Sequence, residues 1–488
     1  VKKIPELLAP AGSLRMAQTA LDYGANAIYA GQPRYSLRVR NNEFGRIEKL
    51  AEGIETVHAR GGQFYVVSNI YPHNAKLKTY LADMAPVVAL KPDALIMADP
   101  GLMLMIREAW PEMTIHLSVQ ANTVNHAAVR FWQSVGVRRV ILSRELSLDE
   151  IAEIRQACPD MELEVFIHGA LCVAYSGRCL LSGYFNHRDP NQGSCTNSCR
   201  WEYALHDGHE DASGDLRADG EPTARKVGAG KTPRRPGQAF LIEEATRPGE
   251  LMPIEEDEHG TYIMNSKDLR AIEHVARLVE IGVDSLKIEG RTKSPYYVAR
   301  TCQSYRHAID DAVAGRPLDA GLIGQLDSLA NRGYTTGFYE RHSADETQNY
   351  ARGTSESSHS LYVGDVLGYR PDGLAEIEVK NAFSVGDRVE LIHPSGNVIV
   401  TITHMQKVGA GDTVISATAH SDFSAKANLG GAQVKQSGRS QKVGADNTAL
   451  IVDRAPGSGH RVFIPLPPEK EGAFLARLLR NEDSTPSI

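Results

Sequence analysis

From its N-terminal end to about residue 310 the chain repeats one unit, a short apolar run ending in small or polar residues and then an amphipathic stretch of helical length. This is βα repetition, and it confines the chain to folds in which helices cover a mostly parallel sheet. Nine runs qualify as strands: ELLAPA (6–11), AIYAG (27–31), FYVVSNI (64–70), ALIMADP (94–100), TIHLSVQ (114–120), RVILSRE (139–145), LEVFIHG (163–169), YIMNSKD (262–268) and SLKIEGR (285–291). Eight parallel strands make the commonest closed α/β barrel, so the expected fold is a TIM-like (β/α)8 barrel, with one run misassigned or accessory. A doubly wound sheet for dinucleotides would place GxGxxG after the first strand, and none stands there.

A chain of 488 residues exceeds what one hydrophobic core sustains, so a smaller second domain is expected. It is legible after a polar linker at 341–358, where SLYVGDVLGY, LAEIEVKN, DRVELIH and NVIVTITHM alternate and are punctuated by Gly, Asn and Pro. These runs predict a small all-β domain, barrel-like or a sandwich, over 359–470, with a helix or tail over 471–488. Within the barrel domain (1–340), residues 204–258 are rich in Gly, Pro and charge and read as an inserted, partly flexible excursion. Its basic residues Arg225, Lys226, Lys231, Arg234 and Arg235 can reach RNA phosphates, although a solvated loop is the plainer explanation.

No apolar run approaches the length of a membrane helix, and the start VKKIPELLAPAGS lacks the pattern of a secretory signal, so a cytoplasmic protein with no membrane contact is expected. The formal charge of -7 excludes a globally basic nucleic-acid coat but not a local phosphate-binding patch.

Polar residues collect at the ends of the strand runs: Asn69, Asp99, Ser118, Gln120, Asn122, Arg144, Glu145, His168, Lys287, Glu289 and Arg291. The C-terminal ends of barrel strands form the catalytic face, and the set as a whole carries more weight than any member. Any single one reads equally well as a strand terminator.

Four of the six cysteines fall within 28 residues, directly after the seventh strand: Cys172, six residues, Cys179, fifteen residues, Cys195, three residues, Cys199. Such clustering in a chain too cysteine-poor for a disulfide scaffold points to a metal. Four thiolates complete the shell of a four-iron cluster (4Fe-4S) or of a tetrahedral zinc. Structural zinc sites favour pairs two to four residues apart, and only the second pair is that close, so the spacing leans toward iron-sulfur. Cys158 and Cys302 stand apart and read as small buried hydrophobes.

The residues Glu164, Phe166, Gly169, Ala170, Leu171, Cys172, Gly177, Cys179 and Ser182 match the signature of the collagenase-like peptidase family U32, which the chain therefore resembles. The runs RYSLRVRNNEF, HNAKLK, SVQAN, SREL, RDPNQGSCTNSCRWEY, MNSKDL and SLKIEGRTKS are similar to those of its prephenate-dependent tRNA uridine hydroxylase subgroup. The resemblance spans nearly the whole barrel. It implies a tRNA-modifying hydroxylase that forms 5-hydroxyuridine at the wobble position, with an iron-sulfur cluster on the four cysteines and prephenate as cosubstrate. The stretch 409–446 looks longer and more irregular than the subgroup pattern.

With that reading, His168, Glu289 and Lys287 are the candidates for catalysis, the first two as acid or base. Prephenate carries two carboxylates and calls for cations, for which Arg38, Arg40, Arg144, Lys287 and Arg291 are available. Gln120 and Asn122 complete the candidates for substrate or cosubstrate binding. Ion pairing of the cations with Glu145 and Glu289 is the competing explanation. The anticodon loop of tRNA is the expected partner, its target base unstacked to expose the ring edge. Two other classes remain: a U32-type metal- or thiol-dependent peptidase, although HExxH and GxSxG are absent, and a noncatalytic RNA-binding protein with a structural metal site.

Overall fold

A computed structural model describes residues 3–32, 34–37, 42–171, 267–290, 293–329, 333–340, 360–407, 452–455 and 457–479, together with the backbone of strand segments between 203 and 261 and at 450–451. Eight parallel strands form the barrel: β1 (Glu6–Pro10), β2 (Ala27–Gly31), β3 (Gln63–Ser68), β4 (Ala94–Met97), β5 (Ile115–Leu117), β6 (Arg139–Ile141), β7 (Glu162–Ala170) and β8 (Ser285–Ile288). Each pairs with the next, and β8 pairs with both β7 and β1, which closes the sheet. The strands read as near-continuous apolar runs because one face meets the lumen and the other the helices.

Local sequence sets where the helices begin. Ser13 accepts from the Met16 N–H ahead of α1 (Leu14–Asp22), and Asp99 caps α4 (Pro100–Ala109), whose first residue is a proline. Ser147 and Glu150 form a capping box on α6 (Leu148–Ala157). The intervening helices are α2 (Ile47–Ala59), α3 (Asn74–Ala89) and α5 (His126–Ser134), followed by α7 (Val275–Ile281) and α8 (Pro295–Val313). Ser294 caps α8, which buries Val298, Ala299, Cys302, Tyr305 and Ile309 against the barrel.

The ninth predicted strand is the accessory one. Only its end falls within the described residues, and the strand there, Asp268–Arg270, runs antiparallel to the last residues of β7 rather than joining the wall. The insertion is not simply a flexible excursion. Its segments Leu251–Ile254, Gln238–Glu244, Tyr203–Glu210 and Leu216–Ala218 pair, in that order, as a four-stranded antiparallel sheet. Alternation in YALHDGHE and QAFLIEE was masked by charged and glycine neighbours, and cross-strand hydrogen bonding outweighed composition. The five basic residues singled out there lie outside the described residues.

Residues 361–478 form a separate compact unit. Its eight-stranded sheet includes Ser360–Tyr369, Leu374–Val379, Arg388–Ile392, Val398–Thr401, Arg461–Pro465 and Phe474–Leu478 around Val363, Ile377, Phe383, Leu391, Val462 and Leu475. The helix or tail expected over 471–488 is corrected where it falls within the described residues. Phe474–Leu478 is a strand, antiparallel to Arg388–Ile392. FLARLL has helical spacing, but a neighbour with free ladder groups and an apolar core decides a five-residue segment. No helix among the described residues is long and apolar enough to cross a membrane.

Candidate active site

Barrels of this class usually fill their lumen with branched aliphatic side chains. Here the lower and middle lumen is charged. Arg139 of β6 meets Glu6 of β1 at 2.6 Å, Glu162 at 3.0 Å and Glu164 at 3.2 Å. Glu164 of β7, fully buried, also receives Lys287 Nζ of β8 at 2.9 Å. Tyr65 of β3 donates to Glu6 at 2.6 Å, and Ser285 donates to the same carboxylate at 2.9 Å. Lys287 sits 4.3 Å from the centre of the Tyr29 ring, and the His116 ring lies edge-on to Tyr65 at 4.7 Å. Burial, with Arg139 and Lys287 nearby, holds His116 well below the usual histidine range, so it is neutral. Alternation explains the assembly. Tyr29, Tyr65, His116, Arg139, Glu164 and Lys287 are register partners or two residues from one, so they share the inner face.

The N-terminal end of this network opens into a cavity of ≈ 960 Å³, lined in part by Lys3, Glu6, Asp22, Arg60, Arg139 and Asp284. Its charges satisfy one another through Lys3–Asp284, Arg60–Asp22 and Arg139–Glu6. Conserving charge balance at the bottom of a barrel serves stability, whereas chemistry in such folds belongs to the opposite end.

At that C-terminal end the predicted residues separate. Glu289 follows β8, is 6% exposed, and accepts from Tyr29 Oη at 3.1 Å. Lys287 lies one layer deeper, paired with Glu164 rather than with Glu289. Gln120 and Asn122 occupy the turn after β5. Asn122 takes the left-handed conformation (φ 51°, ψ 52°) and donates to the Gln120 carbonyl at 3.0 Å. Arg144, after β6, donates to the Ala170 carbonyl at 2.7 Å and lies 4.0 Å from the centre of the Phe166 ring. It pairs with no carboxylate among the described residues, since Glu145 accepts from Ser143 instead. Arg38, Arg40, Arg291 and all of Cys172, Cys179, Cys195 and Cys199 lie outside the described residues.

His168 is the correction. Expected as an acid or base at the open face, it packs instead toward α8, where Nδ1 meets Tyr305 Oη at 3.2 Å among the rings of Tyr297 and Tyr334. The reason is a register shift. Phe166 pairs with Lys287 but His168 with Ile288, so the irregularity turns His168 off the inner face that alternation assigns it. Tyr305 Oη already donates to the Ile167 carbonyl and accepts from the Ala271 N–H, so His168 Nδ1 must carry the proton. Burial, together with Lys293 and Arg270, lowers its pKa to about 3, so the ring is neutral at neutral pH and has no imidazolium proton to give. The next residue, Gly169 (φ +103°), lets β7 pass close to β8, since a Cβ there would lie 2.4 Å from the Glu289 carbonyl oxygen.

Sequence reasoning missed the lumen network of Glu6, Tyr29, Tyr65, His116, Arg139 and Glu164. The available signal was a polar side chain at alternate positions inside otherwise apolar runs. Of the described cysteines, Cys158 and Cys302 are both buried, and burial pushes the Cys302 thiol up, which disqualifies it as a nucleophile.

A closed parallel barrel with a polar mouth, a signature segment at the end of β7 and an all-β unit that follows it in the sequence define a class of protein, and comparison with known proteins agrees. The model of peptidase family U32 matches residues 12–349, and that of the U32 C-terminal domain matches 358–437. The chain belongs to the peptidase U32 family. It is 54% identical over 482 residues to tRNA hydroxylation protein P of Escherichia coli K12, covering 98% of this chain and 97% of that protein. It is 57% identical over 410 residues to the protein of the same name from Haemophilus influenzae, covering 82% and 88%. A collagenase of Porphyromonas gingivalis is 28% identical over 414 residues, covering 81% and 88%.

Proposed function

We propose that this chain is a tRNA-modifying enzyme that hydroxylates tRNA, and specifically one that forms 5-hydroxyuridine at the wobble position with prephenate as cosubstrate. The observation that carries the reading is near full-length similarity to relatives named for tRNA hydroxylation, 54% identical over 98% of the chain. The collagenase relative is more distant at 28%, and neither described cysteine is exposed for thiol chemistry, so a peptidase is the weaker reading.

The donor set of Cys172, Cys179, Cys195 and Cys199 fits an iron-sulfur cluster, with zinc as the alternative metal, and these four residues would hold it. When bound, such a cluster supplies one-electron redox chemistry. The remaining work falls to described residues at the mouth. Arg144 is a guanidinium without a carboxylate partner there, suited to an anionic cosubstrate, and its bond to the Ala170 carbonyl steadies the chain just before the cysteine segment. Glu289, oriented by Tyr29, offers a carboxylate for holding or moving a proton. Lys287 supports this layer from below through its place beside Tyr29.

The test is anaerobic purification with iron and sulfide analysis, followed by mass spectrometry of nucleosides from treated tRNA with and without prephenate. We expect bound sulfide and prephenate-dependent 5-hydroxyuridine, both lost in a Cys172→Ala, Cys179→Ala double variant. Zinc without sulfide, or tRNA left unchanged by the wild-type protein, would overturn the reading.

A further inference from the structure

Three side chains at the ends of β3 and β5 form a hydrogen-bond chain whose direction is set by one backbone group. The Leu37 N–H donates to Asn69 Oδ1 at 3.2 Å. A backbone N–H cannot accept, so the Asn69 carboxamide has one orientation, with Nδ2 on the far side. Both Nδ2 hydrogens are then committed, to Ser118 Oγ at 3.1 Å and to Gln120 Oε1 at 3.0 Å. Ser118, accepting from Asn69, donates its own hydrogen to Gln120 Oε1. The Gln120 oxygen therefore receives two hydrogens from within the protein, and its amide nitrogen must point the other way. That nitrogen has no partner among the described residues. Asn69 and Ser118 are buried, whereas Gln120 is only half-buried, on the turn that follows β5 at the catalytic end. The main-chain carbonyl of Gln120 is held as well, by Tyr71 Oη at 2.6 Å, so the residue is clamped at both its backbone and its side-chain oxygen.

We propose that Asn69 and Ser118 are positioning residues that lock Gln120 as a hydrogen-bond donor to a carbonyl or carboxylate oxygen of the reacting ligands. A glutamine free to rotate can serve as donor or acceptor. This one is held as a donor before any ligand arrives, which removes the cost of ordering it and rejects a ligand that presents a hydrogen instead. The proposal rests on the function proposed above, which supplies two sources for such an oxygen: a ring carbonyl of the target uracil and a carboxylate of prephenate.

The decisive substitution is Asn69→Asp, which keeps shape and still accepts from Leu37 but faces Gln120 with an acceptor. Gln120 must then turn its nitrogen inward and its oxygen outward. Binding of unmodified tRNA transcript by fluorescence anisotropy and of prephenate by calorimetry is measured beside hydroxylation, for Asn69→Asp, Gln120→Ala and the double variant, with melting temperature followed throughout. We expect Asn69→Asp to weaken one step roughly ten- to hundredfold, as loss of a hydrogen bond to a polar or charged acceptor does. The double variant should be no worse than Gln120→Ala alone, because Asn69 acts only through Gln120. A loss confined to prephenate affinity identifies the carboxylate as the ligand, and a loss in tRNA affinity or hydroxylation with prephenate affinity intact identifies the base. Additive losses in the double variant, or an active Asn69→Asp within twofold of wild type, overturn the donor assignment while leaving the enzyme reading intact. A wild-type protein that neither binds nor hydroxylates tRNA overturns the enzyme reading and the ligand assignment with it. Ser118→Ala, which removes one of the two hydrogens directed at Gln120, gives an independent check if the aspartate variant does not fold, and is expected to show a smaller loss in the same step.

Discussion

Replacing Glu164 by glutamine tests whether the charged lumen is held by this single carboxylate. Its two oxygens serve different cations, Oε1 taking Lys287 at 2.9 Å and Oε2 taking Arg139 at 3.2 Å, and no part of the side chain reaches solvent. A carboxamide can accept at one of these positions only, and at the other it turns N–H groups toward a cation. Arg139 retains Glu6 and Glu162, so the larger loss falls on Lys287, buried in the middle of the barrel. Removing one partner of a buried pair costs about 3–5 kcal/mol, mostly because the other charge is left in a poor solvent. Hydrogen exchange of β7 and β8 amides under graded denaturant reads this cost within the barrel, separately from the C-terminal unit. On a Lys287→Met background, where no lysine charge remains to be stranded, the same substitution should cost at least about 2 kcal/mol less. An equal penalty in both backgrounds, or a penalty below about 1 kcal/mol in the first, would refute the view that Glu164 is there to neutralise Lys287.

Acid should destabilise the barrel through His168. The folded imidazole takes a proton only near pH 3 and an unfolded one near 6.5, so the unfolded state binds the extra proton between those values. Stability is therefore full above pH 6.5 and falls as pH drops toward 3, by up to about 5 kcal/mol from this residue, and His168→Phe should flatten a stability titration over that window. Gly169→Ala should cost about 2–5 kcal/mol, because φ is positive and the new Cβ meets backbone at Glu289 rather than a yielding side chain; thermal unfolding checks this. Arg144→Met should cost about 1–3 kcal/mol of stability through the lost bond to the Ala170 carbonyl and weaken prephenate binding about tenfold or more by calorimetry, whereas Arg144→Lys should recover only part, lacking the planar fork that lies against Phe166.

Much of this protein was legible in its sequence. βα repetition with apolar runs of strand length admits few folds, and the eight runs that built the wall lay where the pattern put them. Capping residues such as Ser13, Asp99 and Ser147 marked helix starts because their side chains satisfy N–H groups that no helix can satisfy for itself. Strand-end polarity located the mouth, with Gln120, Asn122, Arg144 and Glu289 all there. Other features depended on contacts between residues far apart in the chain. His168 left the inner face through a register shift against β8, which period-two alternation within β7 cannot reveal. The segment Phe474–Leu478 became a strand because Arg388–Ile392 offered it a ladder 82 to 88 residues away in sequence. The direction of the Gln120 amide follows from a hydrogen at Leu37, and the pairing of Lys287 with Glu164 from closure of β8 against β7. Local sequence determines periodicity and caps because those act within one turn or one strand, whereas partners, tautomers and donor directions are set only when the barrel closes and brings separate strands into contact.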